Sequence, residues 1–135
     1  MVWSVALYGC ETWALGKVER DRLEAFEMWC WRKMEKISYK EKKTNEQVLG
    51  IVREQRELLE SVIRRKKNWI GHVVRGERLM KDVLEGRCVG KRGRGRPRIG
   101  MLHELKGKSY GEMKRRAEDR EGWRRSTPPK PVGKN

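Results

Sequence analysis

The basic residues between Lys91 and Arg98 are the first place in this sequence where side-chain types and spacing indicate a chemistry. The segment KRGRGRPR alternates arginine with glycine and contains no acidic residue. The guanidinium groups of Arg94 and Arg96 suit the narrow, strongly negative minor groove of A·T-rich DNA. Glycine has no side chain to hold the backbone away from the groove floor, and Pro97 fixes φ, which limits the conformations lost on binding. The pattern predicts contact with nucleic acid.

Arg-Gly-Arg-Pro is the core of an AT-hook, a short peptide that lies extended in that groove. Two other interpretations stay open, namely a flexible cationic linker that contacts any phosphate backbone and a nuclear-import signal. All three depend on basic side chains, and phosphate contacts to RNA or DNA should dominate the binding. The candidate site residues in this segment are Lys91, Arg92, Arg94, Arg96 and Arg98.

A second basic run, RRKKNW, extends from Arg64 to Trp69 and combines cations with an aromatic ring, as base-stacking surfaces do. Trp69 lies on the register of Ile63, which favours packing in a core over stacking on a base. We expect the four basic residues to line the edge of that core and to face phosphate or solvent. They are Arg64, Arg65, Lys66 and Lys67.

No arrangement of residues predicts catalysis or metal binding. His72 and His103 lack a carboxylate or a cysteine at zinc-ligand spacing. The tripeptide GKS at 107–109 fails as the end of a P-loop, because leucine stands where that motif requires its first glycine. No nucleophile elbow or paired-acid motif occurs. We expect no catalytic residue, metal or cofactor in this chain.

The net charge indicates the class of partner. The 135 residues include 34 Lys and Arg against 19 Asp and Glu, a formal charge of +15. Residues 1–60 carry 11 basic and 11 acidic side chains, whereas residues 61–135 carry 23 and 8. The excess therefore lies entirely in the second half, which we expect to bind a polyanion, nucleic acid first.

Composition also bears on location. No apolar run approaches the roughly 18 residues that cross a membrane, so no membrane partner is expected. Cys10, Cys30 and Cys88 are odd in number and widely spaced, which fits a reduced, intracellular protein. With the basic segment, this predicts a nuclear location.

Helical periodicity and capping signals predict an all-α fold. Apolar residues at spacings of three and four form one face of a helix over 18–38. Thr44 opens a second helix by a capping-box spacing, and a third covers 54–75, where Gly71 favours a bend. One or two further turns are expected over 77–85. The predicted buried face of the first helix is Leu23, Phe26, Cys30, Met34 and Ile37.

The predicted domain organisation follows from these elements. A helical bundle over 18–85 precedes a disordered, basic, AT-hook-like linker over 86–108, one helix over 109–125 and a disordered tail over 126–135. The apolar segment 1–17 is expected to belong to an upstream core, and periodicity leaves it open between strand and helix.

Six segments form an ordered series: LYGCETW (7–13), LEAFEMWCWRKM (23–34), TNEQVL (44–49), RRKKNWIGHVVR (64–75), DVLEGRCVGKRGRGRPR (82–98) and SYGEMKRRAEDREGWR (109–124). Together they resemble the C-terminal region of the endonuclease–reverse transcriptases of non-LTR (LINE-type) retrotransposons, especially the RTE-like group. The resemblance covers roughly residues 3–125 and rests on the order of the segments, since each alone is a weak signal.

The resemblance implies a parent protein with an endonuclease, a Mg²⁺-dependent polymerase and a basic C-terminal part that helps to hold template RNA or target DNA. This chain lacks the family's Phe/Tyr-x-Asp-Asp box, and Asp21, Asp82 and Asp119 are too scattered for a two-metal site. It is therefore expected to bind without catalysing. The opening at Met1 indicates a truncated copy or a partial gene model. A stand-alone AT-hook chromatin protein and a non-functional relic are the alternatives.

Overall fold

The computed structural model describes residues 2–76, 79–85, 100–102 and 109–127. Every regular element within these ranges is helical, which confirms the predicted all-α fold. The disorder predicted over 86–108 and 126–135 falls mostly on residues outside these ranges. It is wrong for the first two residues of the tail, because the hydroxyls of Ser126 and Thr127 donate hydrogen bonds of 2.9 and 2.8 Å to the carbonyl oxygen of Trp123. In chain order the elements are α1 (Val2–Ala6), the 3-10 helix Cys10–Thr12, α2 (Lys17–Met34), the 3-10 helix Tyr39–Glu41, α3 (Asn45–Val52), α4 (Leu58–Arg75), α5 (Leu79–Glu85), α6 (Tyr110–Glu118) and α7 (Arg120–Arg125).

Helix α4 is the central element, because α2, α5, α6, α7 and the 3-10 helix Cys10–Thr12 all contact it. Leu58, Val62, Ile70 and Val74 recur at spacings of four and eight, so they lie on one side of this helix, and all four are buried. In the described ranges, no helix is long and apolar enough to cross a membrane.

The N-terminal half of α4 packs against the segment that precedes α2. Leu7, Cys10 and Leu15 are buried with Leu58 and Val62 in one apolar group, the N-terminal cluster. Periodicity leaves this segment open between strand and helix, and the structure forms α1 followed by a 3-10 helix. Its apolar side chains thus find burial partners on α4.

The C-terminal half of α4 packs against α6 and α7. Trp69 is half-buried against this group, as its register predicted. Leu102 falls within the linker predicted over 86–108, yet it is buried here, so the end of that region contributes to a core. The group, the C-terminal cluster, consists of Ile70, Val74, Leu102, Met113, Ala117 and Trp123.

The single helix predicted over 109–125 is wrong in one respect, since it is broken at Asp119. The Oδ1 atom of Asp119 accepts a hydrogen bond of 3.0 Å from the backbone N–H of Gly122 and so caps α7. An aspartate that bonds a nearby backbone N–H offers the chain an alternative to helix, and here that alternative prevails. The predicted cap at Ser109 is confirmed, with Oγ accepting from Glu112 N at 3.2 Å.

The predicted buried face of α2 is also wrong in part. Phe26 and Met34 are 37% and 49% exposed, whereas Glu27 and Met28 are buried beside Cys30. A tertiary contact explains the rotation, because the Glu27 carboxylate caps the start of α4.

This cap joins two helices that are distant in sequence. Oε1 of Glu27 accepts hydrogen bonds from the backbone N–H groups of Glu57 and Leu58, at 2.9 and 3.1 Å. The first N–H groups of a helix have no partner within it, and a negative charge there is favoured by the helix dipole. Glu57, the residue before the helix, forms no side-chain cap, so Glu27 supplies the cap instead. Helix α4 therefore begins at Leu58 and not at the predicted Glu54.

We predict that Glu27→Ala lowers the free energy of unfolding by about 1–2 kcal/mol, the usual cost of losing a helix cap. Glu24→Ala is the matched control on the same helix. Glu24 pairs with Arg56 at 3.1 Å, but both side chains are well exposed, so its loss should change stability by about 0.5 kcal/mol or less. Urea unfolding followed by circular dichroism measures both. Equal effects of the two changes would contradict the capping role.

Candidate nucleic-acid interface

The basic run of α4 divides between the surface and the interior. Arg64, Arg65, Lys66 and Lys67 were all predicted to face phosphate or solvent, and this is wrong for the two lysines. Lys66 is fully buried and Lys67 is only 9% exposed. Successive helical residues point about 100° apart, so four in a row cover the whole circumference and some must face the core.

The two lysines hold opposite ends of the chain against α4. Nζ of Lys66 donates a hydrogen bond of 2.6 Å to the carbonyl oxygen of Trp13. Nζ of Lys67 donates to the carbonyl oxygen of Ser126 and, at 2.9 Å, to its hydroxyl. It also lies 5.2 Å from the ring centroid of Trp123, within cation–π range. Both ammonium groups are therefore committed to structure.

The two arginines of the run stay at the surface. Arg65 is exposed, and its Nη1 atom lies 3.4 Å from the carbonyl oxygen of Leu7. Arg64 is half-buried and donates from Nη2 to the hydroxyl of Ser61 at 3.0 Å. Of the four predicted contacts on α4, these two retain access to a ligand.

Trp123 fixes the C-terminal helices on α4. Its indole N–H donates a hydrogen bond of 2.9 Å to the carbonyl oxygen of Lys67, and the side chain is buried. The ring lies over Gly71, where a Cβ atom would come within 2.8 Å of Trp123 Cδ1. Helix α4 continues without a break through Gly71 to Arg75. Gly71 provides room for the indole.

A group of arginines surrounds this junction, and we call Arg75, Arg116, Arg120 and Arg124 the arginine face. Nη1 of Arg75 donates to the carbonyl oxygen of Ala117 at 2.7 Å. The other three are exposed, and none forms an ion pair within the part of the chain that the structure describes.

Two pKa values around the arginine face are lowered, chiefly by burial and further by repulsion between like charges. Burial lowers the pKa of Arg75, and the charges of Arg120 and Arg124 lower it further. Burial likewise lowers the pKa of Lys67, and the charge of Arg116 adds to this effect. Like charges within reach of one another and without carboxylate partners create a local potential that attracts anions.

Sequence analysis missed this surface as a site, although it carried a signal. Arg120 and Arg124 are four residues apart within α7, which places these two cations close together, whereas Arg116 belongs to α6, before the break at Asp119. The same spacing rule predicts ion pairs for the intervening acids Glu118 and Asp119. Asp119 is instead engaged as the cap of α7.

The predicted AT-hook residues Lys91, Arg92, Arg94, Arg96 and Arg98 lie outside the described residues, so their role stays a prediction. His103 is likewise outside, and His72 is exposed. Across the described ranges, no group of three His, Cys, Asp or Glu residues is placed to hold a metal ion.

Comparison with known proteins adds no relative to this picture. No family model matches the chain, and no curated protein or solved structure matches it either.

We predict that Gly71→Ala destabilises the fold by about 1–3 kcal/mol, because a buried, hydrogen-bonded indole would have to move. This loss should exceed the roughly 1 kcal/mol that alanine gains over glycine within a helix. Urea unfolding measures the net change, and near-ultraviolet circular dichroism reports on the tryptophan packing.

The matched control is Gly50→Ala in α3, where an added Cβ atom meets nothing within 4 Å. This change should raise the free energy of unfolding by up to about 1 kcal/mol. If both substitutions are stabilising, the tight approach of Trp123 to α4 is refuted.

Proposed function

We propose that this chain binds nucleic acid, chiefly through phosphate contacts, and that it corresponds to the C-terminal RNA- or DNA-holding part of a non-LTR retrotransposon reverse transcriptase. The observation that carries the binding proposal is the arginine face. Two exposed arginines, Arg120 and Arg124, lie near enough to Arg75 to lower its pKa, and a third, Arg116, lies near Lys67. None of the three has an ion-pair partner among the described residues. Arginine donates two parallel hydrogen bonds to a phosphate and is the residue most suited to such recognition.

The position of the basic Gly/Arg-rich segment supports the same conclusion. Residues 86–99 join α5 to Leu102, and both Leu84 of α5 and Leu102 pack in the C-terminal cluster. Described residues before and after this basic segment therefore pack in the core that carries the arginine face.

The proposal assigns no catalysis to this chain. The parent family's polymerase uses Mg²⁺, but Asp21, Asp82 and Asp119 belong to α2, α5 and the α6–α7 junction respectively. Asp119 in addition caps α7. We therefore limit the proposal to binding, since a two-metal site requires carboxylates that share two ions about 3.5–4 Å apart.

Replacing Arg116, Arg120 and Arg124 together by Gln should weaken binding to a hairpin duplex by at least about tenfold. The slope of log affinity against log salt should become shallower by about 0.9 for each phosphate that the variant no longer neutralises. Stability should not fall, because the change removes mutual repulsion. Fluorescence anisotropy across a salt series measures the affinity, and urea unfolding measures the stability.

A charge-matched triple variant, with Lys17, Arg22 and Arg53 replaced by Gln, removes the same charge from exposed positions in the first half of the chain. Its affinity should fall much less. If the two triple variants lose the same affinity, binding depends on net charge and not on the arginine face. If the wild-type chain does not bind the duplex at low salt, the proposed function is refuted. Absence of a cooperative urea transition would favour a non-functional relic.

The AT-hook alternative has its own test, since a stand-alone chromatin protein of that type should prefer A·T-rich duplex. Arg94→Lys with Arg96→Lys keeps the charge but removes the planar guanidinium, which is more weakly hydrated and enters a narrow groove at lower cost. A hook should then lose its preference for A·T-rich over G·C-rich hairpins while keeping most of its affinity. Wild-type affinities within about twofold, near 0.4 kcal/mol, would refute groove recognition.

A further inference from the structure

Two clefts meet beside the C-terminal end of α2, in the half of the chain whose net charge is zero. One has a volume of about 580 Å³ and the other about 470 Å³. Trp29, Arg32, Ser38 and Tyr39 line both, so the two form one continuous cleft between α2 and the 3-10 helix Tyr39–Glu41. Each volume falls within the roughly 300–1,000 Å³ of small-molecule pockets.

Two aromatic rings of the cleft are open to solvent. Trp29 is 56% exposed and Tyr39 is 95% exposed. Trp29 stacks on Phe26 with ring centroids 6.1 Å apart and planes inclined by 21°, and Nζ of Lys33 lies 5.9 Å from the centroid of its ring. Exposed aromatic rings beside cations are the arrangement on which single-stranded nucleic acids stack their bases.

The charge around the cleft is strongly positive, although the first half of the chain is neutral as a whole. Residues 32–43 contain six basic and two acidic side chains, a local net charge of +4. Glu41 is occupied within the loop, because it pairs with Lys43 at 2.7 Å and accepts from the backbone N–H of Ser38 at 2.9 Å. Lys36 and Lys42 line the cleft and form no ion pair within the described residues.

The walls of the cleft are fixed by side-chain bonds and backbone geometry. Nη2 of Arg32 donates to the carbonyl oxygen of Lys43 at 3.1 Å and to Oδ1 of Asn45 at 2.8 Å, which ties α2 to the start of α3. Lys36 and Lys42 have φ angles of +53° and +48°. Residues other than glycine rarely adopt this left-handed region, and such positions cluster at functional sites.

We propose that this cleft binds an unpaired base of a single-stranded nucleic acid, with the base on Trp29 and Tyr39 and the flanking phosphates on Lys36 and Lys42. The proposal rests on the proposed function for the class of partner, but it uses residues distant in sequence from the arginine face. It gives the chain two binding surfaces, one for phosphate backbone and one for exposed bases.

A single strand fits the cleft better than a duplex or an acidic peptide. The bases of a duplex are stacked on one another and cannot present a face to a protein ring. An acidic peptide would satisfy the lysines but has no flat group to cover the exposed rings. Only an unpaired base with its phosphates matches both the aromatic and the cationic groups.

The experiment compares the full chain with Trp29→Leu/Tyr39→Leu, changes at exposed positions that keep apolar bulk. The probes are fluorescein-labelled oligouridine of about 12 nucleotides, an abasic strand with as many phosphates, and a hairpin duplex. The wild-type chain should prefer oligouridine to the abasic strand by about tenfold, or about 1.4 kcal/mol. The double variant should lose this preference and keep its duplex affinity within about twofold.

Tyr8→Leu is the matched control, because Tyr8 is 87% exposed and does not line the cleft. This change should alter neither the affinity for oligouridine nor the affinity for the duplex. If the wild-type chain binds the duplex but binds oligouridine and the abasic strand equally well, the cleft proposal alone is overturned. The same holds if the double variant loses its affinities for oligouridine and for the duplex to the same extent. A wild-type chain that binds none of the probes overturns the proposed function as well.

Discussion

The adjacent lysines of α4 impose the constraint on which the rest of this structure depends. An ammonium group removed from water costs several kcal/mol unless it is hydrogen-bonded, so each buried lysine requires an acceptor at a defined place. Lys66 finds the carbonyl oxygen of Trp13 and Lys67 finds that of Ser126, and these two acceptors lie near opposite ends of the described chain. The N-terminal segment and the C-terminal helices are thereby held on one helix.

The same constraint separates the charges that support the fold from those available to a ligand. A basic run in a sequence is a continuous string, but on a helix it is distributed around the axis, and in α4 half of it faces inward. The cations that we propose for binding lie elsewhere on the surface: the arginine face at the C-terminal junction, and the lysines of the aromatic cleft beside α2. Net charge therefore indicates the class of partner, whereas burial decides which cations can meet it. A count over the first sixty residues gives zero and conceals a surface with a local charge of +4.

Local rules predicted much of the helical structure. The capping box at Thr44 and the N-cap at Ser109 appear where their spacing placed them, because those bonds involve residues only three positions apart. The buried face of α2 and the start of α4 could not be predicted in this way. Both depend on Glu27, whose carboxylate caps a helix that begins some thirty residues later, and a sequence window around Glu27 shows only a charged residue. Gly71 is a similar case, since its role comes from Trp123.

The composition of the sequence predicted the class of partner for the candidate site, but not which of its residues can reach that partner. The preference for a polyanion follows from charge, but the inward direction of Lys66 and Lys67 follows from packing against both ends of the chain. Under the proposed function, this arrangement couples binding to stability. The lowered pKa of Lys67 means that the folded chain holds this proton less tightly than the unfolded chain does. The charge thus opposes folding below that pKa, and the opposition is relieved as pH rises through it toward the ordinary value of 10.5. Burial is the larger cause of this lowered pKa, and repulsion by Arg116 is the smaller one. A phosphate on Arg116 would offset the repulsion at neutral pH, so a bound nucleic acid would stabilise the junction that positions its own binding surface.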